Sequence, residues 1–261
     1  ITATNSGDDI TVTVASTAST ANMWSAPETP HADDDEFDGD ALNAAWTDVW
    51  AISTNASGSF NQNQIDVYDS SFSSGVVIRV DHNQEHSRSW LRIQPPSTDF
   101  FAFLKPITLA TNCLVWSRLR FMNRISSITN NDSTVGIVLG ASTAGHLDKT
   151  NYVALFLNES DAGTVQGQFD QYELGVYTGI GNTTNVTAEG QALEYVAIHK
   201  VGTTYYGWIG TPSNWVYIGS TTLTFTVAWV GILSANATNL PILSRVSTDF
   251  IRFIETDKFV L

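Results

Sequence analysis

The chain has 261 residues, 43% of them apolar and only 15% charged, and 26 acidic against 12 basic side chains give a formal net charge of −14. That length suits one large all-β domain with a substantial core. The acidic balance argues against nucleic acid and anionic membranes, whose phosphates require clustered Lys and Arg.

Ile1 opens the chain without a Met or a signal-like apolar stretch, as expected of a processed form or a fragment. Residues 1–22 are rich in Thr, Ser, Ala and Asn, and their one alternating stretch, Ile10-Thr11-Val12-Thr13-Val14, predicts a single strand. Pro27 and Pro30 keep the next segment extended and block a helix. Trp24 beside them is costly to leave in water, so it is expected to lie against its own domain or a neighbouring subunit. Residues 1–32 therefore read as an extended arm, with Ile10, Val12, Val14 and Trp24 as its docking residues, and 33–261 as the domain. A lone strand with open hydrogen-bonding groups is stabilised by adding to a partner's sheet, which predicts assembly through this arm.

From Phe37 onward the hydrophobic period is two. It predicts strands over Gly75–Val80, Ser89–Ile93, Phe100–Leu104, Leu114–Met122, Thr134–Leu139, Tyr152–Leu157, Gln168–Thr178, Leu193–Lys200, Thr203–Ile209, Trp215–Gly219, Phe225–Leu233 and Phe250–Ile254. Gly, Asn, Ser, Asp and Pro clusters separate them, and Gly190–Glu194 is the one predicted helical turn. The sum is a two-sheet antiparallel β-sandwich. Cys113, the single cysteine, lies in the apolar run Cys113-Leu114-Val115-Trp116 and reads as a buried inert thiol. No apolar run reaches the length of about 18 residues that a membrane-spanning helix needs.

Two stretches carry a family resemblance. The run Asp33-Asp34-Asp35-Glu36-Phe37-Asp38-Gly39-Asp40-Ala41-Leu42, closed by Trp46, offers apolar anchors on one side and acids on the other. Its pattern D-E-F-D-G-x-x-L-x-x-x-W resembles the opening of concanavalin A-like jelly rolls, which include laminin-G-like domains, legume-type lectins and family 16 glycoside hydrolases. Further on come a hairpin turning near Gly202, the Trp-bearing Asn214-Trp215, Val230-Gly231-Ile232 and a closing Asp249-Phe250-Ile251-Arg252-Phe253. That order is similar to laminin-G-like modules. The resemblance spans about residues 33–256 and implies a jelly roll in which Phe37, Leu42, Trp46 and Phe250 are buried and pin the opening and closing strands together.

The chemistry-bearing groups are sparse. A family 16 glycosidase needs carboxylates spaced E-x-D-x-x-E on one strand. Glu36-Phe37-Asp38-Gly39-Asp40 brings its third acid one residue early and holds a Gly, so it reads as a solvated edge. Asp34, Glu36 and Asp38 are the candidate calcium ligands, although position twelve of an EF-hand reading would be Ala45, which offers no bidentate carboxylate. His82, Glu85 and His86 spell H-x-x-E-H, but on a loop between strands, where the two imidazoles do not share a helix face. Aromatics are abundant, and sugar rings stack on Trp and Tyr while amides bond their hydroxyls. Tyr205 and Tyr206 must face opposite ways, so Tyr206, with Asn214 and Trp215, forms the candidate glycan contact.

The Ser/Thr/Asn-rich arm, the Pro-bearing junction and a free-standing jelly roll without a catalytic pair are similar to tail-fibre and head-decoration proteins of tailed bacteriophages. The expected function is a non-enzymatic structural protein on the virion surface, a capsid decoration or tail fibre, with adhesion to host glycans. Its expected partners are other virion proteins through the arm, a cell-surface glycan and further copies of itself, with no nucleic acid, no membrane insertion and no cofactor beyond the candidate Ca2+. The alternatives are a secreted, extracellular lectin-like module and a family 16-like hydrolase.

Overall fold

The structure, a computed structural model, describes residues 2–6, 9–13, 31–35, 44–51, 57–59, 77–83, 88–94, 101–121, 133–159, 165–183, 195–211, 214–236 and 246–259. The chain forms two units. In the first, β1 (Thr2–Ser6) pairs antiparallel with β2 (Asp9–Thr13). Ile10 and Val12 thus lie on a strand that already has a partner along one edge, where the sequence predicted an unpaired one. Thr and Val suit extended backbone, and β1 supplies hydrogen bonds that a lone strand lacks. Val14 and Trp24 lie outside the described residues.

The second unit spans Pro30–Phe259. Its strands are β3 (Asp48–Ala51), β4 (Ser57–Ser59), β5 (Val77–Asn83), β6 (Arg88–Gln94), β7 (Phe101–Pro106), β8 (Asn112–Phe121), β9 (Ser133–Thr143) and β10 (His146–Glu159). Then follow β11 (Val165–Glu173), β12 (Val176–Asn182), β13 (Tyr195–Val201), β14 (Thr204–Thr211), β15 (Asn214–Thr222), β16 (Trp229–Asn236) and β17 (Val246–Glu255). They build two antiparallel sheets, an eight-stranded one in the order β12-β11-β10-β9-β16-β7-β3-β4 and a seven-stranded one in the order β15-β14-β13-β8-β17-β6-β5. Among the described residues there is no helix, and the two antiparallel sheets form the sandwich that the period of two predicts.

Alternation explains the core. Phe103, Val115, Ile137, Leu155, Phe169, Ile198, Ile209, Val230 and Ile251 point between the sheets and are buried, each flanked along its strand by residues of the opposite face. A second cluster, with Leu104, Val138, Tyr152, Phe156 and Trp229, occupies the outer face of the eight-stranded sheet. One side of the sandwich closes where β12 meets β15. A Cβ on Gly181 would sit 2.0 Å from the Ile218 carbonyl oxygen, so only glycine permits that approach.

Several predicted boundaries move. The predicted strand Gln168–Thr178 is a hairpin, because Leu174 (φ 52°) and Gly175 (φ 77°) form a two-residue turn with both central residues left-handed. That geometry matches the right-handed twist of the strands it joins. Ala144 (φ 49°) and Gly145 (φ 83°) make the same turn between β9 and β10. The predicted hairpin at Gly202 (φ 61°) is present between β13 and β14. β16 begins at Trp229 rather than Phe225, β12 runs past Thr178 to Asn182, and β3 and β4 arise where no strand was predicted. Phe37, Leu42 and the predicted turn Gly190–Glu194 lie outside the described residues.

Candidate functional site

The best-built polar site lies on the outer face at the β10-β11-β12 end of the eight-stranded sheet. Along β11, Phe169 enters the core while Gln168, Asp170 and Tyr172 take the other face. The turn at Leu174–Gly175 folds β12 back so that Tyr177 stands opposite Tyr172, and β10 sets Tyr152 opposite Tyr172 on the other side. The three phenols form a ladder, with Tyr152 and Tyr172 stacked at 4.7 Å and Tyr172 and Tyr177 tilted at 5.3 Å.

Asp170 sits at the foot of this ladder, 7% exposed. Gln168 Nε2 donates to both its oxygens, at 3.2 and 3.0 Å, and the Tyr177 hydroxyl donates to Oδ1 at 3.2 Å. Burial holds the Asp170 carboxyl above its ordinary range despite these donors, and burial with the nearby Asp170 charge raises the Tyr177 phenol. Burial likewise raises Tyr152. Tyr177 remains 51% exposed, so the ladder opens to solvent at its outer rung. The patch therefore combines an aromatic face, a fixed acceptor and an amide donor, the elements that hold a polyhydroxylated ring.

Its position is fixed from outside. Asp148 accepts from the Thr150 amide and from Asn151 Nδ2, both at 2.8 Å, and Asn151 Oδ1 accepts from the Leu174 amide at 3.0 Å. The Gly175 amide donates to the Thr150 carbonyl at 3.0 Å, so two contacts from the β9–β10 side hold the turn that carries Tyr177. Glu173 has a different role. Its Oε1 accepts from the Thr224 hydroxyl and from the Thr224 amide (2.9 Å), which holds its carboxyl below the usual range. Three residues from Asp170 along one strand, it belongs to the opposite face.

The sequence-predicted glycan contacts lie elsewhere, on the seven-stranded sheet. Asn214 is exposed at the start of β15. Trp215 stands edge-on to Tyr195 at 6.1 Å and to Phe259 at 5.7 Å. Tyr206 lies on the outer face beside His199, ring centroids 6.2 Å apart, while Tyr205 is buried in the core as the alternation requires. Tyr206 and Trp215 are not in contact; each reaches the same patch through a neighbour, His199 for one and Phe259 for the other.

The acidic run forms a clasp. Asp35 exchanges both backbone hydrogen bonds with Ile251, at 2.9 and 2.8 Å, and its Oδ2 accepts from Trp46 Nε1 at 2.7 Å. Asp34 uses Oδ1 for the Phe253 amide and Oδ2 for the His31 amide, each at 2.8 Å. The Asp33 carbonyl accepts from the buried Lys105 ammonium, which also lies over the rings of Trp46 (5.5 Å) and Phe253 (5.1 Å). Burial lowers the Lys105 pKa, and the charges of Asp33, Asp35 and Asp34 oppose that shift. Both oxygens of Asp34, a candidate calcium ligand, thus already accept amides of this chain; Glu36 and Asp38 lie outside the described residues. Among the described residues no three His, Cys, Asp or Glu gather as a metal set. Trp46 is fully buried, whereas Phe250 is buried on the outer face against Trp116 and Arg252. Burial pushes the Cys113 thiol up to about 11, as an inert core cysteine requires.

No protein-family model and no curated protein matches this chain. Solved structures do. It is similar to the GH43 protein BlXynB of Bacillus licheniformis at 14% identity and a TM-score of 0.56, covering 88% of this chain and 40% of that one. It is similar to a xylan β-1,4-xylosidase of Bacillus halodurans at 16% identity and a TM-score of 0.54, covering 90% and 41%. A GH43B protein of Bacteroides ovatus matches at 16% identity and a TM-score of 0.53, covering 89% and 40%. The chain spans about two fifths of each of these proteins. At such identities the likeness concerns the fold.

Proposed function

We propose that this chain is a non-catalytic, glycan-binding β-sandwich of a virion-surface protein, a capsid decoration or tail fibre, with its sugar held at the Tyr177–Asp170–Gln168 patch. The observation that carries the glycan reading is the buried carboxylate at the foot of a solvent-open tyrosine ladder. A pyranose stacks a C–H face on Tyr177 and gives its hydroxyls to Asp170 and Gln168. Structural likeness to parts of GH43 proteins, one of them a xylan xylosidase, supports a carbohydrate ligand. Hydrolysis is disfavoured because two carboxylates must flank one bond. Among the described residues no second carboxylate acts on Asp170, and Glu173 is tied to Thr224 on the other face.

The virion setting rests on organisation: a Thr/Ser/Asn-rich N-terminal segment with its own hairpin precedes the sandwich, as an attachment arm would. In this reading the arm joins other virion proteins or further copies of the chain. The second reading, a secreted module of a carbohydrate-active enzyme, draws on the match to only about two fifths of the GH43 proteins.

Isothermal titration against neutral oligosaccharides tests the site. The chain should bind one of them, and Tyr177→Ala and Asp170→Ala should each weaken binding about tenfold, the effect of one lost ring stack or charge-assisted bond. Binding unaltered in both variants refutes the site, and release of reducing sugar refutes the non-catalytic assignment. Removal of residues 1–30 should leave a folded sandwich that no longer joins its particle; unchanged assembly favours the secreted module.

A further inference from the structure

We propose that the outer face of the seven-stranded sheet holds a second carbohydrate seat, filled in this structure by the ring of Phe259. The seat rests on the glycan-binding reading for its ligand class but shares no residue with the Asp170 patch. Trp208 and Trp215 come from the adjacent strands β14 and β15, and His199 from β13. Phe259 stacks on Trp208 at 4.3 Å and 23°, meets Trp215 edge-on at 5.7 Å and 80°, and lies 6.2 Å from His199. One planar floor and two edges enclose a single six-membered ring.

The occupant arrives on a short strap. After β17 ends at Glu255, the Thr256 amide donates to the Asn112 carbonyl at 3.2 Å, and His199 Nε2 lies 3.3 Å from the Thr256 carbonyl. Thr256 and Lys258 then bond one another, the hydroxyl to the carbonyl at 3.0 Å and the amide to the hydroxyl at 3.1 Å. Asp257 and Lys258 face solvent. Two bonds at the root of the strap and one ring at its tip attach it to the sheet among the described residues.

Among the described residues the buried indole Nε1 atoms of Trp208 and Trp215 have no acceptor, and the same holds for Trp116 on the same face. Buried donors are nearly always paired, and an unpaired one costs free energy. A phenyl ring satisfies the shape of the seat and none of its donors. An aromatic side chain from a partner protein would leave the same donors unpaired. A pyranose has the same six-membered outline and a C–H face for the Trp208 ring, and the next sugar of a chain carries hydroxyl oxygens past the ring edges, where an acceptor can meet an in-plane indole N–H. The strap is therefore an internal competitor, lifted when sugar binds.

The test uses the full chain carrying Asp170→Ala and Tyr177→Ala, which silences the first patch, with and without Phe259→Ala. Indole 15N–1H resonances are followed while xylohexaose, cellohexaose and mannohexaose are titrated in turn. With Phe259→Ala, at least one hexaose should shift the Trp208 and Trp215 resonances and bind about tenfold more tightly than with Phe259 in place, the worth of one aromatic pair. Adding Trp208→Ala should abolish that binding. Should Phe259→Ala unfold the chain, Phe259→Leu removes the planar ring, keeps apolar bulk and carries the same readout. Unmoved indoles in a folded Phe259 variant, or binding that survives Trp208→Ala, overturn the second seat alone. Titrating the otherwise native chain separates the readings: loss of its binding in Tyr177→Ala with a silent Trp208 keeps only the first site. A responsive Trp208 with Tyr177→Ala unchanged keeps only the second.

Discussion

Replacing Trp46 with Phe isolates the clasp that ties the acidic run to the sandwich. The indole is fully buried, stacks on Phe103 at 4.8 Å and 12°, and donates to Asp35 at 2.7 Å. Phenylalanine keeps an aromatic ring in the stack and deletes the donor. A hydrogen bond to a charged acceptor contributes about 1.5–3 kcal/mol. The smaller ring leaves space worth roughly 1 kcal/mol at about 24 cal/mol per Å3 of cavity. The loss should be about 3 kcal/mol, which for a domain of this size lowers Tm by about 6–12 °C. Urea unfolding followed by fluorescence and circular dichroism measures it, and the slope should stay unchanged if both states keep their compactness. A double-mutant cycle with Asp35→Ala then isolates the pair, and its interaction energy should exceed about 1 kcal/mol because the two side chains touch. A cost of Trp46→Phe below about 0.5 kcal/mol, or a cycle that adds without remainder, would show that the indole–carboxylate bond does not hold the clasp.

Three further outcomes follow from local geometry. Burial holds the Asp170 carboxyl above its ordinary 3.8, so the folded chain takes up a proton more readily than the unfolded one; stability from this group is complete below that value and lost as pH rises through the folded pKa. Asp170→Asn should accordingly gain stability at pH 7, with the gain fading below about pH 4; urea midpoints showing the same gain at pH 3 and pH 7 would contradict this. Leu174, at φ 52° and 81% exposed, holds a left-handed turn position that asparagine tolerates better, so Leu174→Asn should stabilise by about 1 kcal/mol in equilibrium unfolding, and a destabilisation would argue against the turn. A Cβ on Gly136 would lie 2.4 Å from both the Phe156 Cβ and the Leu155 carbonyl oxygen, so Gly136→Ala should cost about 3 kcal/mol or more by calorimetry. A Tm within about 2 °C of the native chain would mean that β9 and β10 are more loosely spaced than this.

Alternation alone made the sandwich legible. Val115, Leu155, Phe169, Ile198 and Ile209 each enter the core because a strand sends every second side chain to one face, a rule that needs no knowledge of what lies opposite. Gly202 marked its turn for a similarly local reason, since glycine reaches a positive φ without strain. Leu174 and Ala144 gave no such signal. Their left-handed backbones are imposed by the strands they join, so Gln168–Thr178 read as one strand. That misreading concealed the candidate site. In a continuous strand Tyr172 and Tyr177, five residues apart, face opposite ways; across a two-residue turn they stand side by side.

No local signal sets Asp170 and Gln168, or Tyr152 and Tyr172, apart from their neighbours, because only the pairing of β10, β11 and β12 gathers them around one carboxylate. The acidic run changed meaning for the same reason. Locally, the acids from Asp33 to Asp40 read as a hydrated edge with Asp34, Glu36 and Asp38 at calcium-like spacing; in the fold Asp33 meets Lys105, 72 residues away in sequence, and Asp34 meets the amide of Phe253, 219 residues away. Composition and period determine which side chains leave water. Which of the remaining polar groups meet depends on strand order and register, long-range choices made by the packing of the whole sandwich.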